Sequence, residues 1–482
     1  MEVEPVEVAV AERVAAGATK SFRPYAPGQV LLMAPDAREW VPDGDLAHFV
    51  DDLVEQALDL SAIYGSYVEE RGFPPYDPRL MVKLLVYGYA TGITSSRKLE
   101  TATHRDVAVR MLCAGQQPDY RAIARFRARH LQGLSELFVQ SLGLCRRAGL
   151  VRLHALAVDG TKLRANASRH KAMSYERMVK AEAELDAETG ALREVAERVL
   201  AEAAAVDAAE DEQFGVDSRG DELPPELRRR EDRLAFIREA KAALEAEAEA
   251  AETARREQMR QEGREPRQPP NGRDPFKPRP RAQRNFTDPE SKIMKTSDGS
   301  FHQCFNAQAV VDDQTQVIVA AELSNIAPDA GQLAGVLDDF TTNLAAIEAE
   351  LPDEARLLAD AGYFSAENVD VATEHGLDPL LATGKFCHNE PPPSSPRGPI
   401  AKNASPKQRM ARKLRLKAGH AAYARRKAIV EPVFGQMMTV LAARQLRIRG
   451  LTAARAQWRF DCAVHNLLKL HRNGGLGALQ TA

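Results

Sequence analysis

The 482-residue chain reads as a mixed α/β protein, with an all-α N-terminal domain followed by an α/β core that a long helical hairpin interrupts. Three observations predict this. Residues 46–149 carry apolar side chains at helical spacing with few breaks. Two short apolar runs, 154–158 and 356–359, have the length of buried strands, and each ends on an acid, Asp159 and Asp360. Between them, residues 173–259 are mostly Ala, Glu and Arg, with Met178, Leu185, Leu192, Val199 and Val206 spaced by seven, the mark of a coiled-coil seam.

In chain order, residues 1–30 form a loose tail and 31–150 a helical N-terminal domain. Its helices are predicted at 46–64, at 78–91 with Asp77 as cap and Pro78 in the first turn, at 95–102, and in two further segments to 147. Near the end of this domain Arg121, Arg125 and Arg129 share one helix face, with Ile123 and Phe126 turned elsewhere. Such a face suits a DNA groove or a row of phosphates, and equally a solvated basic surface.

Residues 171–262 form the inserted antiparallel hairpin, turned around 215–225, with Leu227 and Leu234 continuing the seven-residue spacing. Its acidic load argues against DNA contact along its length. A Pro- and Arg-rich linker follows at 263–284. Segments 306–311 and 316–323 read as a β-hairpin, with Asp312 and Asp313 as turn formers. A helix at 329–350, the strand at 356–359, a helix at 367–375 and a strand at 379–382 complete an α/β unit. Residues 386–412 read as a disordered basic loop, 458–471 as an amphipathic helix carrying Phe460, Val464, Leu467, Leu468 and Leu470, and 473–482 as a tail.

A net charge of −3 hides a marked asymmetry. Thirteen Lys or Arg fall between 401 and 449 against one acid, Glu431, so this segment suits a polyanionic partner. A solvated helix normally alternates acids with bases, so the isolated Glu431 reads better as a metal ligand beside phosphates. Pro432 biases Glu431 away from the α region and predicts a kink or helix start there. The five cysteines, at 113, 145, 304, 387 and 462, form no CxxC and read as reduced thiols of a cytosolic protein. The acidic opening argues against a signal peptide. The most apolar run, 80–93, contains Lys83 and is too short to span a bilayer. A soluble protein is expected.

Asp159, Asp360 and Glu431, gathered at one place, would supply hard oxygen ligands for Mg²⁺. Two such ions about 3.5–4 Å apart support in-line displacement at phosphorus. Among 68 acids, any three chosen by spacing carry little weight.

The wording of the chain is more specific. Ala157-Val-Asp-Gly-Thr-Lys-Leu-Arg-Ala-Asn-Ala-Ser168, Thr287-Asp-Pro-Glu-Ser-Lys-Ile-Met-Lys295, Phe305-Asn-Ala-Gln308, Ala359-Asp-Ala-Gly-Tyr-Phe-Ser365, Val430-Glu-Pro-Val-Phe-Gly-Gln436 and His465-Asn-Leu-Leu-Lys-Leu470 resemble bacterial insertion-sequence transposases of the DDE type. Pro75-Tyr-Asp-Pro-Arg79 and Gly92-Ile-Thr-Ser-Ser-Arg97 resemble the helical N-terminal domain of that group, and the likeness spans about residues 22–472.

The resemblance implies a ribonuclease H-like catalytic core in segments 151–170 and 285–472, with Asp159, Asp360 and Glu431 as catalytic and metal-binding residues. It implies two Mg²⁺ ions, with Mn²⁺ able to substitute, acting on double-stranded DNA: water cuts at the transposon ends and the freed 3′-hydroxyls attack target DNA. By analogy the protein acts as a homodimer on DNA, without a membrane partner, in a bacterial cytoplasm and on the nucleoid when bound. Members of this branch carry a Tyr, Arg, Glu, Lys signature around the glutamate. Here Tyr423 is present, Lys427 occupies the place expected for Arg, the Tyr spacing is longer by one, and Met438 replaces the Lys. DNA contacts are expected from Lys162, Arg164, Tyr423, Arg426 and Lys427 near the scissile phosphate, and from Arg121, Arg125 and Arg129. Lys162 and Arg164 would look the same as solvated strand-end charges. Asp288 fits a turn cap as well as a site, and His154 and His465 read as satisfied core histidines.

A DNA-binding derivative without strand transfer, a hydrolytic nuclease on the same fold, and a structural coiled-coil protein are the competing readings. The last leaves both strand-ending aspartates unexplained.

Overall fold

The computed structural model describes residues 36–67, 75–168, 172–186, 230–261, 263–266, 273–384 and 394–479. The chain enters as helices α1 (Leu46–Gln56), α2 (Ser61–Tyr64), α3 (Pro78–Ala90), α4 (Ser96–Arg105), α5 (Val107–Leu112), α6 (Tyr120–Arg129) and α7 (Leu131–Arg147). Where one helix is expected over 46–64, the structure has two. Asp59 separates them: its carboxylate accepts the Ser61 N–H at 2.8 Å, and its own N–H donates to Gln140 Oε1 at 2.8 Å. Three helices, not two, lead to Arg147, and Asp106 and Asp119 cap two of them, accepting from Val109 N and Ala122 N. Asp77 caps α3 by accepting the Arg79 N–H at 2.8 Å. Lys83, buried in α3, is neutralised by Asp51 and Glu55 at 2.6 and 2.5 Å.

The α/β part is a six-stranded sheet of β1 (Ala155–Arg164), β4 (Lys292–Lys295), β5 (Phe301–Asp312), β6 (Ile318–Ser324), β7 (Arg356–Ala359) and β8 (Asp378–Leu381). Its order is β4-β5-β1-β7-β8, with β6 also pairing β5. β4, β5, β6 and β1 pair antiparallel, whereas β1, β7 and β8 run parallel. Helices α10 (Leu333–Ala346) and α11 (Ala366–Glu374) connect the strands. This order of mixed strands is consistent with a ribonuclease H-like fold.

Helices α12 (Pro406–Arg415), α13 (Lys417–Ala424), α14 (Arg426–Thr439) and α15 (Leu451–Arg472) close the chain. α15 is buried along most of its length and lies against α7 and β6. The N-terminal helices and the sheet therefore share one continuous hydrophobic core. No helix among the described residues is long and apolar enough to cross a membrane.

Several expectations need correction. Asp159 does not end β1 but is the fifth residue of a ten-residue strand, because β5 keeps pairing to Arg164↔Cys304. The expected disordered loop at 386–412 contains the first turns of α12, where Ser405 and Gln408 form a capping box and Pro406 sits in the first turn; residues 385–393 lie outside the described residues. At the linker's end, β3 (Gln283–Asn285) pairs with β2 (Ala172–Ser174). In the expected C-terminal tail, residues Gly475–Leu479 form a 3₁₀ helix. His154 is exposed, whereas His465 is fully buried with its Nε2 3.0 Å from Gln316 O.

Of the insert, α8 (Tyr175–Asp186) and α9 (Arg230–Gln261) are described. Met178 packs with Ala240 and Leu244, and Tyr175 Oη donates to Glu245 at 2.7 Å. Leu192, Val199, Val206, Leu227 and the turn at 215–225 lie outside the described residues, as do the tail at 1–30, Cys387 and the side chains of Leu185 and Leu234. The other four cysteines are buried and free.

Candidate active site

β1 and β7 run parallel with Ala155↔Arg356, Leu156↔Leu357 and Ala157↔Leu358 in register. β7 stops at Ala359, so the register carried on by two residues sets Asp360 opposite Asp159. In neighbouring strands, residues in register face the same side of the sheet. Past Ala157 the two strands no longer pair, and there the Asp360 charge acts on Asp159; the far end of β1 is bridged at Arg164 by residues 444–446. Asp159 Oδ1 accepts the Gly160 N–H at 2.9 Å, and Asp360 Oδ1 accepts the Gly362 N–H at 2.8 Å. Burial raises the Asp159 pKa, and the Asp360 charge adds to it against the opposing pull of Arg426 and the Gly160 N–H.

A fixed polar network lies beneath the pair. Gly160 is opposite Gln308 on β5, and a Cβ at Gly160 would meet Gln308 Nε2 at 2.3 Å. Only glycine lets the amide lie over the strand there. Gln308 Nε2 donates to Asn306 Oδ1 at 2.9 Å and to Asp329 Oδ1 at 3.1 Å, while its Oε1 accepts from Tyr363 Oη. Trp458 Nε1 donates to Gln308 O at 3.1 Å. Tyr363 is fully buried; burial raises its pKa first, and Asp329, Asp159 and Asp360 all push it the same way.

Arg426 opens α14 and reaches the pair, with Nη1 3.1 Å from Asp159 Oδ2. Burial opposes its charge, but Asp159, Tyr423 and Asp360 together raise its pKa. Arg426, not Lys427, is therefore the base that faces Asp159, and its three-residue offset from Tyr423 puts both beside the acids; burial of the Tyr423 phenol raises its pKa. Sequence spacing counted back from Glu431 pointed to the neighbouring position.

Glu431 is placed differently. α14 runs through Pro432 without starting there. Proline has no N–H for the carbonyl of Ala428, and Gln316 Nε2 donates to that oxygen instead at 3.1 Å. Arg426, Ile429, Val430, Val433 and Met437 form the buried face of α14. Glu431 falls on the exposed stripe, 61% exposed, with an oxygen 3.9 Å from Lys427 Nζ. This is the i,i+4 arrangement that an ordinary surface helix would give. Among the described residues, no three Asp, Glu, His or Cys side chains lie close enough to hold one ion.

The expected DNA contacts are already engaged within the protein. Lys162 Nζ lies 2.9 Å from Asp329 Oδ1, and Arg164 Nη2 lies 3.1 Å from Asp298 Oδ2. On α6, Arg121, Arg125 and Arg129 are all exposed while Ile123 and Phe126 are buried, as their spacing predicts. Arg129 Nη2 donates to Ser66 O at 2.8 Å and its guanidinium covers the Tyr67 ring; Arg121 lies over Tyr120. Asp312 and Asp313 stand at the hairpin turn, where Asp312 accepts the N–H groups of Gln314, Arg152 and Leu153. Asp288 is wholly buried and accepts from Gly450 N at 3.3 Å, and burial raises its pKa to about 6.

The Asp159 and Asp360 pair fits a hard divalent cation: Mg²⁺ is commonly held by one or two carboxylates, with phosphate and water filling the remaining positions. The desolvated Asp159, repelled by Asp360, has reason to take a cation beyond the one Arg426 supplies.

Comparison with known families agrees with this architecture. Residues 35–129 match the family described as Transposase domain (DUF772), and residues 274–467 match Transposase DDE domain, whose members generally use divalent metal ions. Asp360 and Glu431 fall inside the second match and Asp159 before it. Searches against curated proteins and against solved structures return no match. The helical N-terminal match and the DDE match, in this order along one chain, place the protein among the insertion-sequence transposases of the DDE type.

Proposed function

We propose that this transposase binds the terminal inverted repeats of its element, cleaves the DNA at the element ends and joins the 3′-hydroxyls to target DNA, using Asp159, Asp360 and Glu431 with two Mg²⁺ ions. The observation that carries the reading is that Asp360, just past the end of β7, acts on Asp159 of the neighbouring β1 while Arg426 pairs with Asp159. Bound there, the ions would supply stabilisation of the attacking and leaving oxygens at phosphorus. Arg426 opposes the burial that raises the Asp159 pKa and orients that carboxylate, and Tyr423 lies beside Arg426 and the two aspartates. Lys162, Arg164 and Lys427 hold phosphates around the scissile position, and Arg121, Arg125 and Arg129 hold the flanking duplex.

Glu431 stands five residues beyond Arg426, about 7–8 Å further along the axis at 1.5 Å per residue. To join the pair, its side chain leaves Lys427, a contact worth under about 1 kcal/mol, and α14 turns on binding DNA. That movement is opposed by the buried Ile429, Val430, Val433 and Met437 and by the Arg426–Asp159 contact. Two ends joined together require two sites, so the active form is a dimer on DNA, in the cytoplasm and on the nucleoid.

The test is purified protein with Mg²⁺ or Mn²⁺ and DNA carrying the element's own ends. Cleavage and joining that disappear in Asp159→Ala, Asp360→Ala and Glu431→Ala support the proposal. A second reading, a DNA-binding derivative without strand transfer, is favoured by the outward position of Glu431; end binding without cleavage would establish it. Cutting without joining would mark a hydrolytic nuclease.

A further inference from the structure

We infer that Asp329 is a positioning residue for this site, holding the Asp360 loop through Gln308 and Tyr363. The inference rests on Asp159 and Asp360 being the ion-binding pair. Asp329 lies just beyond β6, and its Oδ1 receives Lys162 Nζ at 2.9 Å, Asn306 Nδ2 at 2.9 Å and Gln308 Nε2 at 3.1 Å. These contacts fix which end of the Gln308 amide points where. With Nε2 committed to Asp329 and Asn306, Oε1 is left for Tyr363 Oη. A buried phenol without an acceptor is costly, so Tyr363 stays where Gln308 offers one.

Tyr363 is three residues after Asp360, and its N–H donates to Asp360 O at 3.3 Å. Asn368 Nδ2 donates to Tyr363 O at 2.6 Å and to Ala330 O at 2.7 Å, tying the same loop to the residue after Asp329. Where a Cβ on Gly362 would sit, Asp360 Oδ1 is 3.0 Å away and Asp329 Oδ2 3.8 Å away, so both carboxylates flank one short stretch of backbone. Asp329 thus fixes the direction of the Asp360 carboxylate relative to Asp159 while its charge is held by Lys162.

The test is calorimetric titration of MnCl₂ into the full-length protein without DNA, for wild type, Asp329→Ala, Asp329→Asn, Tyr363→Phe, Asp159→Asn and Asp360→Asn. Groups that orient metal ligands typically change affinity by about 10- to 100-fold. Asp329→Ala and Tyr363→Phe should weaken Mn²⁺ binding about tenfold or more with the fold retained, and Asp329→Asn, which keeps an acceptor oxygen for Asn306 and Gln308, should recover most of the loss. Wild-type affinity in Asp329→Ala would overturn the inference. So would an Asp329→Asn variant as weak as Asp329→Ala, which would make Asp329 a ligand rather than a positioning group. Should Asp329→Ala fail to fold, Tyr363→Phe decides by the same criterion. Undiminished binding in Asp159→Asn and Asp360→Asn would instead overturn the ion-pair reading, and the inference with it.

Discussion

Gly160→Ala probes the site without touching an acid. The added Cβ would lie 2.3 Å from Gln308 Nε2 and 3.0 Å from its Cδ, closer than packed atoms allow. Gln308 cannot swing aside freely, because it is 1% exposed and bonded to Asn306, Asp329 and Tyr363. Overpacking costs typically 1–3 kcal/mol, and a buried group that loses its partner about as much again. A loss of about 3 kcal/mol follows, roughly 6–12 °C in melting temperature at the sensitivity of a 150–250-residue domain. Differential scanning calorimetry of Gly160→Ala, Gln308→Ser and the double variant separates clash from general damage. The smaller serine makes room, so the double variant should be less destabilised than the sum of the two single changes. An unchanged melting temperature in Gly160→Ala, or strict additivity, would refute the β1 to β5 register at the site.

Other consequences can be checked on the same protein. Asp312→Ala leaves the N–H groups of Arg152 and Leu153 without the Asp312 carboxylate, and should cost roughly 3 kcal/mol in denaturant unfolding at about 1–3 kcal/mol per unmet group. Burial raises the Asp461 pKa to about 8. The folded chain holds that proton while the unfolded chain releases it, so stability from this group falls as pH rises from about 4 to 8. Asp461→Asn should therefore stabilise increasingly over that range, and a pH-independent difference in melting temperature would contradict it. Arg426→Met removes the cation on Asp159, whose pKa is already raised by burial. Its destabilisation should be greatest at neutral pH and shrink as Asp159 protonates in acid; a loss that grows in acid would count against the pair.

What the sequence allowed and what it hid have physical causes. The strand at Arg356–Ala359 was legible from the short apolar run that closes it. α15 was legible only as an amphipathic helix over 458–471; it starts at Leu451 and is buried on most sides, because Gln457, His465 and Asn466 bond to groups outside it. The second half of β1 was not, because Gly160, Thr161 and Lys162 are polar where the strand loses its β7 neighbour. The helix through Pro432 defied a local rule because Gln316, distant in sequence, supplies the donor that proline lacks. Arg426 was legible as a basic residue but not as the partner of Asp159, since that contact joins residues far apart along the chain. Asp329 is one acid among 68, and only the return of β6 brings it to Gln308. The core shared by α7 and α15 also depends on contacts that no local pattern records.

The most direct measurement is the anomalous difference density of a crystal of the full-length protein soaked in MnCl₂. A peak within coordination distance of both the Asp159 and Asp360 carboxylates, absent from Asp159→Asn crystals, is the expected result. No peak there at saturating Mn²⁺, or one confined to carboxylates elsewhere, would contradict the assignment of these two strands as the seat of catalysis.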